Sequence, residues 1–119
     1  MFKKYLLLSL VLALVLYLFA CTEGGIFPDP NLDALVRMAI DKPEGAILPS
    51  ELEGLTSLEA PERGITDLSG LEYCTNLTDL NLWDNRIRDI SPLASLTNLT
   101  ELWLYDNQIS DISPLIDLA

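Results

Sequence analysis

The most constraining feature of this chain is a 22-residue stretch written twice in succession, residues 75–96 and residues 97–118, with 15 of the 22 aligned positions identical. A fixed period of this size means a solenoid: no single copy can bury its own apolar edge, so copies must stack. Subtracting one more period places Leu55, Leu58, Ala60, Ile65, Leu68, Leu71 and Cys74 on the repeat's apolar sites. Residues 53–74 therefore read as a degenerate first coil, with Arg63 and Pro61 departing from the later copies. Atypical terminal repeats are expected to act as caps.

Each regular copy reads L-x-x-L-x-L-x-x-N-x-I, through Leu77, Leu80, Leu82, Asn85 and Ile87, then Leu99, Leu102, Leu104, Asn107 and Ile109. Alternation around Leu80 and Leu82 predicts a short strand with leucines inward and polar or aromatic residues outward. An inward asparagine at the following turn can satisfy backbone groups left unpaired there, so Asn85 and Asn107 are expected to form a structural ladder. Pro92 and Pro114 limit the return segment to a short helical turn. This is the leucine-rich repeat pattern.

With Ile-x-Asp-Ile-Ser-Pro-Leu on its back face, residues 87–93 and 109–115, the repeat resembles that of internalin-type bacterial leucine-rich repeat proteins. The resemblance covers roughly residues 28–119 and implies an α/β solenoid. A parallel β-sheet would line the concave side, 3₁₀ turns the convex side, and the role would be protein recognition on a bacterial surface.

Ahead of the repeats, Asp29 is placed to N-cap a helix with Pro30 at its first position and Leu32, Leu35, Val36, Ala39 and Ile40 on one face. Pro43 and Gly45 should end it. Residues 46–48 could add a strand, and Ser50 to Glu53 matches a capping box. Residues 28–53 thus read as an N-terminal helical cap, with residues 54–119 as one degenerate and two regular repeats. The third coil ends on apolar residues without a polar cap, so the array is expected to be truncated at its C-terminal end or covered by a second copy.

The first residues follow a different grammar. Lys3 and Lys4 precede an apolar run from Tyr5 to Ala20 broken by Ser9 alone. Sixteen residues fall short of the roughly twenty a spanning helix needs, which points to a signal peptide over residues 1–20. The junction Leu18-Phe19-Ala20-Cys21 resembles the lipobox of bacterial lipoproteins, which implies cleavage before Cys21, its lipidation, and an exported chain held at the membrane facing outward through residues 21–27 as a tether. An uncleaved signal anchor is the alternative, since Phe19 stands where a smaller residue is usual. With Cys21 so engaged, Cys74 has no disulfide partner and reads as a buried apolar thiol.

Composition excludes several functions. The chain has 7 basic and 18 acidic residues; removal of Lys3 and Lys4 leaves 5 cations and a net charge of −13. Nucleic acid and anionic lipid surfaces are poor partners for such a chain. With no histidine, and with carboxylates only on an open face that cannot raise their pKa, the chain is not expected to be an enzyme. No cofactor is indicated. Asp84 and Asp106 lack the enclosing loop that a calcium site uses, so no metal is expected.

The repeat register predicts three outward rows: Ser57, Asp79 and Glu101; Glu59, Asn81 and Trp103; Pro61, Trp83 and Tyr105. Glu62, Asp84 and Asp106 flank them. Exposed aromatics rimmed by carboxylates suggest a recognition patch for a protein or peptide, with a preference for basic partners. Two alternatives stay open: stacking of the rings as a purely structural ladder, and binding of carbohydrate.

Overall fold

The computed structural model describes residues 25–118. Helix α1, Pro30–Ala39, is followed by a single helical turn α2, Pro49–Leu52. Three coils come next, each with a three-residue strand and a 3₁₀ turn: β1 Ser57–Glu59 with Leu71–Tyr73, β2 Asp79–Asn81 with Ser91–Leu93, and β3 Glu101–Trp103 with Ser113–Leu118. The strands form one parallel sheet in the order β1-β2-β3. Leu58, Leu80 and Leu102 stand in line across it, as do Ser57, Asp79 and Glu101. The arrangement is a leucine-rich repeat solenoid in which position i of one coil lies beside position i+22 of the next.

Fifteen positions repeat because the fold uses them. Leu77, Leu80, Leu82, Ile87, Ile90, Leu93 and Leu96 are all within 1% of complete burial and form the second coil's share of the core. The repeated polar residues work between coils. Thr78 and Thr100 donate their hydroxyls to the carbonyls of Thr56 and Thr78 at 3.1 Å, and Asn76 and Asn98 donate to Glu53 and Thr75. Asp89 and Asp111 accept from the backbone N–H of Ser91 and Ser113 at 2.9 Å, which starts the 3₁₀ turns. Those bonds hold both aspartates below the usual carboxylate range.

Asn85 is 6% exposed. Its Oδ1 accepts from the Arg63 and Ile65 N–H groups of the preceding coil, while its Nδ2 donates to Ala60 O at 2.9 Å and to Leu82 O at 2.9 Å in its own coil. Asn107 repeats the pattern one coil on, accepting from Ile87 N–H and donating to Leu82 O and Leu104 O. An amide has two donors and an acceptor with two lone pairs, so a single side chain can serve two coils at once.

The first coil departs from the repeat where the helical segment meets it. Asp29 caps α1 by accepting from Asn31 and Leu32 N–H, and its second oxygen accepts from the Thr66 and Asp67 N–H groups of the first coil. Burial alone would push its pKa up, but the four backbone donors prevail and hold it below the usual carboxylate value. Phe27 lies 4% exposed in the same core as Leu32 and Val36. Gly70 stands where Pro92 and Pro114 stand later; a Cβ on it would lie 2.5 Å from the Phe27 ring, and its φ of 106° is one that glycine adopts most readily. Ile26 and Phe27 thus pack against the core, although the sequence places them in the tether.

Other local expectations differ from the structure as well. Helix α1 stops at Ala39, before Pro43 and Gly45, because Asp41 takes a left-handed φ of 54° and the N–H groups of Asp41 and Lys42 fold back onto Met38 O and Arg37 O. Ala39 is exposed, although Leu32 and Val36 on the same face are buried. Residues 46–48 form no strand. The turn expected to start at Ser50 starts at Pro49, because the Glu51 carboxylate accepts the Leu48 N–H at 2.8 Å while also holding Lys42. Cys74 is fully buried and its thiol is pushed up to about 12, first by loss of hydration and then by the neighbouring Glu72 charge. Cys21 and the apolar run before it lie outside the described residues.

Candidate functional site

The seven positions that differ between the two regular coils are the ones the fold leaves free. Three lie on the strand face: Asp79 and Glu101, Asn81 and Trp103, Trp83 and Tyr105. Two lie on the flank: Arg86 and Gln108, Arg88 and Ser110. The last two, at Ala94 and Ile116 and at Ser95 and Asp117, lie at and after the 3₁₀ turns. Surface that can vary without disturbing the solenoid is the surface available for recognition.

On the strand face the three outward rows lie side by side: the first two are in register through the strand pairing, and the Glu62 and Asp84 N–H groups donate to Trp83 O and Tyr105 O just beyond it. Trp83 and Tyr105 stack with ring centroids 5.5 Å apart and planes within 8°. Trp103 leans on Tyr105 at 6.2 Å and 53°. The stacking that a structural ladder requires is therefore present, and it leaves Trp103 49% and Tyr105 51% exposed. Trp83 is half-buried, less open than the repeat pattern alone suggests. One residue set supplies both a sheet-stabilising stack and an accessible aromatic surface.

The polar groups around the rings are acceptors in the main. Asn81 donates to Glu59 Oε2 at 2.9 Å and accepts from Trp83 N–H, so its amide is partly committed within the face. Asp79 is half-buried beside the Thr78 hydroxyl, and Glu101 is exposed. Glu62, Asp84 and Asp106 occupy one equivalent turn position and share a left-handed φ of 53–56°, which sets their side chains at the ends of the strands. Such a surface can stack on flat or apolar groups and accept hydrogen bonds from cations at its rim. Among the described residues, no group of three or more His, Cys, Asp or Glu side chains is arranged to hold a metal ion.

A second feature lies on the flank, where reading the sequence for leucines and aromatics does not lead. An open groove of about 720 Å³ is lined by Thr66, Asp67 and Ser69 of the first coil, Arg86, Arg88, Asp89 and Pro92 of the second, and Gln108 of the third. The available signal was the exchange of two arginines for glutamine and serine between copies that match at 15 of 22 positions.

With fold and face described, the class of protein is defined: the family of leucine rich repeats (2 copies) matches residues 53–94 and again residues 75–117, and the chain belongs to it. Within that family it is similar to internalins of Listeria monocytogenes. It is 33% identical to internalin H, over 68% of this chain and 18% of that protein. The crystal structure of the internalin inlF superposes with a TM-score of 0.76 at 41% identity, covering 78% of this chain and 28% of that one. Internalin C2 does so with a TM-score of 0.75 at 39% identity, covering 78% and 42%. The chain thus spans less than half the length of each of these relatives.

Proposed function

We propose that this chain is an exported recognition module, anchored in the membrane through a lipid on Cys21, that binds a protein or peptide partner through its strand face. The observation that carries the reading is the Trp83–Tyr105–Trp103 cluster, held rigid by stacking and yet about half open at two of its three rings. Rigid aromatic groups lose little conformational freedom on binding, and such residues dominate binding energy at protein interfaces. Asp79, Asp84, Glu101 and Asp106 surround the rings with negative charge, which favours basic partners and hastens encounter at low ionic strength. The basic start, apolar run and Leu-x-Ala-Cys junction support the anchor. Likeness to internalins supports a bacterial surface setting.

The test is capture from surface extracts of the host and of neighbouring cells, with each partner identified by mass spectrometry and then purified. Wild type should bind a partner whose affinity falls with salt, and a Trp83→Ala/Trp103→Ala/Tyr105→Ala variant that remains folded should not. Retention of every partner by that variant would reject the reading. Mass spectrometry of the membrane-extracted protein tests the anchor separately: a lipidated Cys21 at the N-terminus is expected, and an intact Met1 or a bare Cys21 would reject it.

A further inference from the structure

Arginine is scarce in this chain, and its placement is uneven. Of the cations among the described residues, Arg37 is paired with Asp33 and Lys42 with Glu51, both in the helical segment. Arg63, Arg86 and Arg88 are in no salt bridge among the described residues, and Arg86 and Arg88 open into the flank groove. They share that groove with Asp67 and Asp89, yet do not pair with them. Asp67 Oδ1 instead accepts from Ser69 N–H at 2.9 Å and from the Ser69 hydroxyl, and Asp89 Oδ1 accepts from Ser91 N–H. Arg88 gives its Nε–H to Gln108 Oε1 at 3.0 Å, which fixes the guanidinium and leaves its outer edge free.

We propose that this groove is a binding site for an acidic sugar unit, one that carries a carboxylate or sulfate together with hydroxyl groups. The lining is mixed: two guanidinium forks suited to bidentate contact with an oxyanion, two carboxylates, two hydroxyls and one amide. A bare anion would be repelled by Asp67 and Asp89. A sugar hydroxyl is bound by them, because an ionised carboxylate is an acceptor only and keeps lone pairs beyond those used in its own turn. Pro92 offers an apolar surface for the face of a sugar ring. An acidic peptide fits less well, since the groove lies away from the strand edges where a peptide backbone would find partners. The acidic balance of the whole chain does not forbid such a ligand: charges farther than about 8 Å are largely screened at physiological ionic strength, so the groups within the groove decide.

The test uses the full chain and three probes: an oligouronate, its carboxyl-reduced neutral counterpart, and an oligoglutamate of equal charge. The variant is Arg86→Gln/Arg88→Ser, which installs the residue types that the third coil carries at Gln108 and Ser110 on an equivalent backbone, so the fold accepts them. Titration calorimetry should show the oligouronate binding wild type, weakened about tenfold or more in the variant as charge-assisted hydrogen bonds are lost, with neither the neutral sugar nor the oligoglutamate matching it. The strand-face triple variant should bind the oligouronate as wild type does. Absence of oligouronate binding, equal binding of oligoglutamate, retention in the arginine variant, or loss in the aromatic variant would each overturn the proposal.

Discussion

The second and third coils share most of their residues and differ in what surrounds them. Leu77, Leu80, Leu82, Ile87 and Leu93 of the second are buried between neighbours, while Leu99, Leu102, Leu104, Ile109 and Leu115 of the third are only partly covered, and Ile112 and Ile116 are 68% and 71% exposed. A leucine in a repeat is therefore worth what its neighbours make of it. Burial, and with it most of the hydrophobic stabilisation, belongs to the interface between coils and not to the sequence of one.

The sharpest way to break this comparison is a matched pair of core truncations. Leu80→Ala should cost about 3–5 kcal/mol and Leu102→Ala about 1–2 kcal/mol, because only the first leaves a closed cavity. Equal losses in denaturant unfolding would show that the third coil is covered in solution. At the opposite end, Asp29→Ala should cost about 2–4 kcal/mol through loss of an N-cap together with orphaned Thr66 and Asp67 N–H groups. Since Asp29 titrates below the ordinary carboxylate value in the folded state, its contribution is present above about pH 4 and is lost as pH falls through the lower, folded pKa. The gap between wild type and Asp29→Ala should accordingly narrow in acid; a gap independent of pH down to acid unfolding would mean that packing, not the charge, joins the helix to the first coil.

The asparagines give a smaller contrast. Asn85→Ala should cost about 2–3 kcal/mol and Asn107→Ala about 1–2 kcal/mol, since the second amide is less buried and serves fewer backbone groups. Chemical denaturation of both variants checks the order, and a reversal would contradict the dependence on neighbours. Smallest is a gain: Glu62→Gly should stabilise by about 1 kcal/mol, relieving a left-handed backbone that lacks the short side chain Asp84 and Asp106 bring to it. A loss there would show that the Glu62 carboxylate makes a contact in solution stronger than the strain.

Subtraction of the period placed the strands correctly because the inward–outward alternation allows one register only; a slip by one residue would turn Leu58, Leu80 and Leu102 outward. The Asp29 cap was also legible, since Asp-Pro before an apolar face is a local signal. What escaped was set by contacts distant in sequence. Nothing near Phe27 announces that Gly70, 43 positions on, makes room for it. Ser50 suits a cap in isolation, but Pro49 preorganises the turn one residue earlier and Glu51 is held by Lys42. Arg86 and Arg88 read as ordinary solvated residues until folding brings them beside Thr66, Ser69 and Gln108.

The asparagine ladder also points one way. Asn85 and Asn107 reach toward the coil that precedes them, so each new coil settles onto neighbours that are already made, and it in turn quiets the open N–H groups of the turn before it. For a chain that emerges from its N-terminus, the order of appearance and the order of assembly coincide. No coil has to wait for a partner far downstream, and the bonds that link coils span only 20 to 25 residues of sequence. Contacts of such short loop length favour rapid, stepwise folding that zips along the array behind the advancing chain.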